Sequence, residues 1–424
     1  MSLTSFLTRG LTAYHVTALI KERLLAAGFT ELKEDGAFSC HPGGKYFVTR
    51  GDASVIAFAL PEKTPVSFQI AAAHSDSPAF YITGEKRDGK YTRLSVERYG
   101  GPVSSTWYDR PLRLAGRVFL KTENGARSVL YESEGRLVIP TVAPHQNREA
   151  ESKVLSNPAV DLLPVFDKDH GRDILKERVA KELGVCASDI LSSDLYLVCA
   201  EAPISWGEDY LSAPRLDDLA SVYGLLQGFL SASFTDSIPV LAVFHGEEVG
   251  SMLFEGANSS FLDATLARIA KGLGADYASL LARSFMLSAD NAHAIHPAHP
   301  ELYHPTANAT MGGGIVIKHT SSRRYTTDAF SDAMTRLLCE GCGVAVQEFR
   351  NRADLPGGGT LGTISATHVS VPAADIGIAQ LAMHSAYETC SRKDIDALTA
   401  LASHFFSVAL RYTENGACWE KEGV

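Results

Sequence analysis

The sequence predicts an α/β fold: a mixed sheet flanked by helices and interrupted by an inserted β-rich domain. Three observations predict it. Short apolar runs such as 66–72 and 238–244 read as buried strands, and charged or polar chemistry follows directly where they end. Segments such as 219–230 and 395–412 space their apolar residues for one face of a helix. From Lys86 to Pro203 the texture changes to short strand candidates separated by Gly, Asn and Pro turns, with no clean β-α alternation. The expected organisation is a discontinuous body, 1–85 and 208–424, with 86–207 inserted.

Composition narrows the class. At 424 residues the chain allows two to three domains. With 45% hydrophobic and 21% charged residues it can bury a sizeable core. A formal net charge of -10 argues against nucleic acid and anionic membranes as partners. No apolar run is long enough to span a bilayer. Arg9, Lys21, Glu22 and Arg23 interrupt the run that a signal peptide would need. Seven scattered cysteines fit free thiols in a reducing compartment, which points to the cytoplasm. Cys339 and Cys342 form a lone C-x-x-C without the second ligand pair of a structural zinc.

In chain order, residues 5–28 read as one amphipathic helix stopped at Gly28. Strands at 55–60 and 66–72 follow, and the second runs into Ala73-His74-Ser75-Asp76-Ser77-Pro78. A metal-binding imidazole usually donates its other N–H to a carboxylate, and His74 with Asp76 could supply both halves. A turn closed by an Asx hydrogen bond is the plainer reading of that motif alone. In the insert, strands are expected at 112–120, 129–131, 136–140 and 194–200, and a helix at 173–183. His145 lies in a polar loop there. Residues 203–214 read as the return linker. Asp217, in Pro214-Arg215-Leu216-Asp217-Asp218, then stands at the start of a helix. It could be an N-cap or a metal carboxylate, and the two roles are compatible.

The strand 238–244 ends in His245-Gly246-Glu247-Glu248-Val249-Gly250-Ser251. Glycines let the backbone turn on both sides of the acid pair. One carboxylate can hold a metal while the other moves a proton; a solvated turn is the bland alternative. The run 285–287 leads to Asp290, and a strand at 315–317 leads to Lys318. Further strands are expected at 344–349 and 364–371. Glycines 357–359 lack the P-loop pattern, so no nucleotide is implied. Residues 376–387 read as a helix with His384 near its end, and 395–412 as the last helix.

Each signal is modest alone, and the set decides. His74, Glu247, Glu248 and Asp290 all follow an expected strand, and open α/β sheets gather ligands outside the carboxyl ends of their strands. Asp217 and His384 can join from helix ends. Two histidines and three or four carboxylates, without cysteine, suit a pair of divalent metals: zinc, manganese or cobalt. Two metals sharing a carboxylate can activate one water between them.

These stretches resemble the aspartyl aminopeptidase family of co-catalytic zinc peptidases. The matching segments are 73–78, 214–217, 247–251, Ser288-Ala289-Asp290-Asn291-Ala292-His293-Ala294-Ile295-His296-Pro297, and Leu381-Ala382-Met383-His384-Ser385. They occur in the family's order and span nearly the whole chain. The resemblance implies a zinc-peptidase-type mixed sheet with the insert as a dimerisation domain. It implies His74 and Asp290 on one metal, Glu248 and His384 on the other, and Asp217 bridging. It implies Glu247 as general base and Asp76 as the partner of His74. The chain departs from the family at His245 and Gly246, where an acid and a polar residue are frequent, and at Asp218, where Asn is frequent.

The implied activity is a metallo-aminopeptidase that removes N-terminal residues from short peptides. His293, Lys318 and Tyr325 match the family pattern beside the metals. A buried Lys318 ammonium without an anionic partner would be costly, and a substrate carboxylate would supply one. The expected preference is therefore for N-terminal Asp or Glu. The resemblance also implies a homo-oligomer, a tetrahedral dodecamer built from dimers, with His145 reaching the neighbour's active site. A deacylase, or a broad or glutamyl aminopeptidase, would use the same architecture. A non-enzymatic scaffold or cargo-binding relative should have lost ligands, and every one is present here.

Overall fold

The computed structural model describes residues 1–149, 154–355, 357–414 and 416–420. Its frame is a nine-stranded mixed sheet. In spatial order the strands are Thr30–Leu32, Lys45–Arg50, Ser54–Ala59, Ile238–Phe244, Phe68–His74, Phe285–Ala289, Ala373–Gly377, Ile315–His319 and Val346–Arg350. Ile238–Phe244, Phe68–His74 and Phe285–Ala289 are adjacent and parallel, with Phe244 opposite His74 and Ser288 opposite Ala72. All three are buried along their length, as their continuous apolar runs require. On Phe68–His74 the alternation is visible. Phe68, Ile70 and Ala72 pack with Phe58, Phe244 and Phe261 on one face. Ala71 and Ala73 pack with Leu225, Phe229 and Leu241 on the other. Parallel neighbours end on the same side, so the residues after all three emerge together.

Helices cover both faces. Leu216–Ser231 and Arg392–Phe405 pack on one. They approach closely because position 228 is glycine: a Cβ there would lie 2.4 Å from that of Ala402. Phe261–Gly272 and Leu361–His368 pack on the other face.

A six-stranded antiparallel sheet forms a second core. Its order is Gly125–Glu132, Leu112–Thr122, Ile190–Cys199, Ala79–Arg87, Tyr91–Tyr99 and Val165–Lys168. Phe80, Leu94, Leu114, Val118 and Leu197 fill it together with Val179 and Ala180 of the helix Leu175–Leu183. A small five-stranded sheet, Ile204–Trp206, Tyr210–Ala213, Glu388–Ser391, Ala379–Leu381 and Ala292–His293, closes the remaining side. It holds the segments that carry Asp217, Asp290 and His384 next to one another.

Several elements differ from the sequence expectation. The N-terminal helix is two, Leu3–Arg9 and Ala13–Ala26, broken at Gly10. Residues 136–140 make only isolated bridges. The expected linker 203–214 is a pair of strands in the small sheet. Residues 364–371 differ from the strand expected there. They lie mostly in the helix Leu361–His368, where Leu361 and Ser365, one turn apart, are both buried. Residues 376–387 are no helix: two short strands lead into a turn in which Ala382 and His384 have φ of 58° and 66°. Left-handed residues cannot continue an α-helix. The last helix stops at Phe405, and Ala409–Thr413 pairs as a strand with Gly416–Glu420.

Candidate active site

Three strand ends and the small sheet converge on two overlapping groups of ligand atoms. His74, Asp217, Asp218 and Asp290 each offer one ligand atom, all within 4.8 Å of one another. Asp217, Glu248 and His384 form the second group by the same measure. Among the described residues these are the two such groups. Asp217 belongs to both, and its two oxygens divide between them. Oδ1 lies 3.6 Å from His74 Nε2, and Oδ2 lies 3.6 Å from His384 Nε2. His74 Nε2 is also 3.9 Å from Asp290 Oδ1, and His384 Nε2 is 3.6 Å from Glu248 Oε2. These separations are too long for hydrogen bonds. They suit donors about 2.0–2.2 Å from a shared cation.

Both histidines present Nε2 for the same reason. Nδ1 of His74 lies 3.0 Å from the carbonyl oxygen of Asp76, and Nδ1 of His384 lies 3.2 Å from that of Gly101. A carbonyl can only accept, so each Nδ1 carries the proton and each Nε2 keeps its lone pair. The expected partner of His74 was the Asp76 carboxylate. That group is 3.6 Å away, and its hydrogen bonds go elsewhere. It accepts the Glu247 N–H and the Glu248 N–H, each at 3.2 Å, and the Tyr99 hydroxyl at 2.8 Å. Asp76 thus fixes the turn that bears both glutamates.

The residues fit divalent cations. Asp217 Oδ1, Asp218 Oδ1 and Glu248 Oε1 are buried without a hydrogen-bond partner. Buried carboxylate oxygens are costly unless paired, hydrogen-bonded or coordinating a metal. Burial first, and then neighbouring carboxylate charge, push Asp218 and Glu248 well above the usual carboxylate range, with His74 opposing. Burial and the same acidic neighbours push Glu247 up to about 8. So many acids stay ionised together only beside cations. Imidazole and carboxylate donors without thiolate suit zinc, manganese or cobalt.

Two functional features escaped the sequence reading. Glu388 is buried, and its carboxylate accepts the Asp217 N–H at 3.0 Å and the His384 N–H at 2.8 Å. Asn291 extends this network by donating to the carbonyl of Leu216 at 2.7 Å and to the side chain of Gln380 at 2.8 Å. Asp218 entered the reading only as a departure from a pattern. Its carboxylate stands in the first group and accepts the His74 N–H at 3.3 Å.

An open cleft lies over the two groups, and His293, Lys318, Tyr325 and Phe349 line it beside the ligands. The Lys318 ammonium lies 5.2 Å from the Tyr325 ring centroid. It does not stand without an anion. Nζ donates to the Asp290 carbonyl at 2.8 Å and lies 3.5 Å from Asp290 Oδ2. That corrects the premise that only a substrate carboxylate could compensate it. His145 is not drawn into this chain's cleft; it lies on an exposed turn.

Comparison with known proteins gives the arrangement its family. Residues 6–406 match the family model described as aminopeptidase I zinc metalloprotease (M18). The chain belongs to the M18 family of zinc metallo-aminopeptidases. It is 38% identical over 409 residues to the "Probable M18 family aminopeptidase 2" of Clostridium novyi, covering 92% of this chain and 94% of that protein. The fold agrees with M18 structures. The Ape4 and Nbr1 complex matches with TM-score 0.90 at 30% identity, over 95% of this chain and 84% of that one. The S. cerevisiae mApe1 dodecamer matches with TM-score 0.81 at 24% identity, over 95% of each chain. No helix among the described residues is long and apolar enough to cross a membrane.

Proposed function

We propose that this M18 aminopeptidase works with two divalent metals, most simply zinc, and removes the first residue of short peptides with a preference for Asp or Glu. The observation that carries the two-metal reading is Asp217, whose separate oxygens face separate histidine-containing groups. His74 and Asp290 would hold one metal, Glu248 and His384 the other, and Asp217 would offer an oxygen to each. When bound, the metal pair supplies electrophilic activation of the scissile carbonyl and of a water. Glu247 takes the water's proton at its carboxylate and returns it to the leaving amine. Asp76 fixes Glu247 for this through its backbone N–H. His293, Lys318 and Tyr325 receive the substrate's first side chain and position its carbonyl.

One observation favours a second reading, a broad aminopeptidase: Lys318 is already engaged by Asp290. For the same reason Lys318→Met would disturb a metal ligand and slow every substrate, so wild-type selectivity is the cleaner test. Metal analysis should find two ions per chain, and aspartyl and glutamyl substrates should turn over faster than leucyl and alanyl ones. Equal rates would replace acidic preference with the broad reading; one ion or none at full activity would remove the two-metal scheme.

The two cores support a division into a body and an inserted dimerisation unit, with bounds other than 85/86 and 207/208: the strand Ala79–Arg87 already belongs to the second sheet, and Ile204–Trp206 pairs with Tyr210–Ala213 of the body. The mApe1 relative's dodecamer supports the same assembly here, with His145 on the insert available to a neighbour. Seven free cysteines support a cytoplasmic site of action.

A further inference from the structure

We propose that the segment 99–103, the end of the strand Tyr91–Tyr99 and the turn after it, is a positioning element that sets Glu247, Glu248 and His384 from the second core. The segment belongs to the six-stranded sheet, not to the sheet that bears the ligands. It nevertheless meets both sides of the site. The Tyr99 hydroxyl donates to Asp76 Oδ2 at 2.8 Å, and that carboxylate receives the Glu247 and Glu248 N–H groups. Two residues on, the Gly101 carbonyl accepts His384 Nδ1–H at 3.2 Å, and the Val103 N–H donates to the His384 carbonyl at 2.9 Å. His384 has φ of 66°, an unfavourable conformation for a residue with a side chain, so outside bonds must hold it.

The glycines explain how a main chain can come this near. Gly100 has φ of +68°, and a Cβ there would lie 2.9 Å from Glu248 Oε2. A Cβ on Gly101 would lie 3.3 Å from His384 Nδ1. Backbone, not side chain, is what faces these two ligands. The segment is in turn fixed by its own core. The Tyr99 ring packs at 5.3 Å on Tyr196 and stacks at 6.1 Å on His245, both buried. The Trp107 ring beyond the turn meets Phe80 at 5.0 Å. The second core therefore holds the backbone on which Asp76 and His384 lean. Partners that orient metal ligands typically matter by 10–100-fold in metal affinity or activity.

The inference rests on the ligand roles proposed above, and Glu248→Gln separates the two. Tyr99→Phe deletes one hydroxyl and keeps the ring's packing. Its kcat should fall about tenfold with KM within about twofold, and a competing chelator should strip metal at about tenfold lower concentration. Gly101→Ala crowds His384 without a left-handed backbone to strain, and should show the same loss of metal affinity. Melting temperatures near wild type would show that both variants fold. If Glu248→Gln loses metal while Tyr99→Phe and Gly101→Ala bind and turn over as wild type, the positioning role is overturned and the ligand roles stand. If Glu248→Gln keeps full metal and activity, the ligand roles fall and this inference falls with them.

Discussion

The four residues grouped round His74 are all buried; in the group round His384 the side chains of Asp217 and Glu248 are buried as well, each 4% exposed, whereas His384 is 35% exposed. The supports differ as well. His74 and Asp290 stand at the ends of adjacent strands in the middle of the large sheet, where packing on both faces fixes the backbone. Glu248 lies on a short 3₁₀ turn between two glycines with φ of 85° and 91°. His384 lies in a turn, held by hydrogen bonds to Glu388, Gly101 and Val103. One half of the site is built by the sheet; the other is assembled by contacts from three different sheets. The difference teaches where order comes from at each ligand, and it should be measurable.

The largest expected effect tests whether the glutamate pair is divided between the halves at all. Glu247→Gln should keep two metals per chain and lose about 10²–10⁴-fold in turnover, because an amide cannot carry the proton. Metal analysis and steady-state kinetics on the same sample would show it. A near wild-type rate would end the general-base role, and lost metal would mean that Glu247 is itself a ligand.

The reach of the sequence follows the same division. His74, Glu247, Glu248 and Asp290 were legible because each directly follows an apolar run long enough to read as a strand. His384 was a candidate as the end of an expected helix that does not exist, and the family pattern then included it. The small sheet beside it has five strands of only two to four residues, such as Ala292–His293 and Ala379–Leu381, too short for an alternation to register. Glu388, Tyr99 and Gly101 had no signal at all. Their partners are backbone groups or residues far away in the chain, so no local spacing marks them. At Lys318 the residue was legible but its partner was not, and only the fold brings Asp290 within reach.

A smaller effect follows from the unequal supports. Titrating the metal-loaded enzyme with a chelator should release the ions in two steps, the first from the His384 group. Second-sphere support commonly changes affinity 10–100-fold, so the two midpoints should differ by about that factor. Spectroscopy of the cobalt-substituted protein would assign the steps, with His384→Ala removing the earlier one. A single step, or first loss of the step that depends on His74, would break the comparison.

The smallest effect concerns Asp218. It is the one carboxylate of the His74 group with no assigned part: Oδ2 accepts the His74 N–H and Oδ1 is buried without a partner. Two uses remain for its charge. It could lend a direct bond to the first metal, or it could add negative potential while bonding only the backbone. Asp218→Asn separates them because an amide oxygen still accepts the His74 N–H and the volume is unchanged. A direct ligand carries a larger share of affinity than an orienting neighbour, whose loss is typically 10–100-fold. Since Asp218 is bound to the backbone through one oxygen already, the expected loss is at the bottom of that range or just below it, about tenfold in the tighter midpoint alone. The looser midpoint should not move. A loss well beyond 100-fold would make Asp218 a ligand and the first group richer in oxygen than the second. Wild-type affinity at both midpoints would leave the charge without effect, and the greater burial of the His74 group would then rest on His74, Asp217 and Asp290 alone.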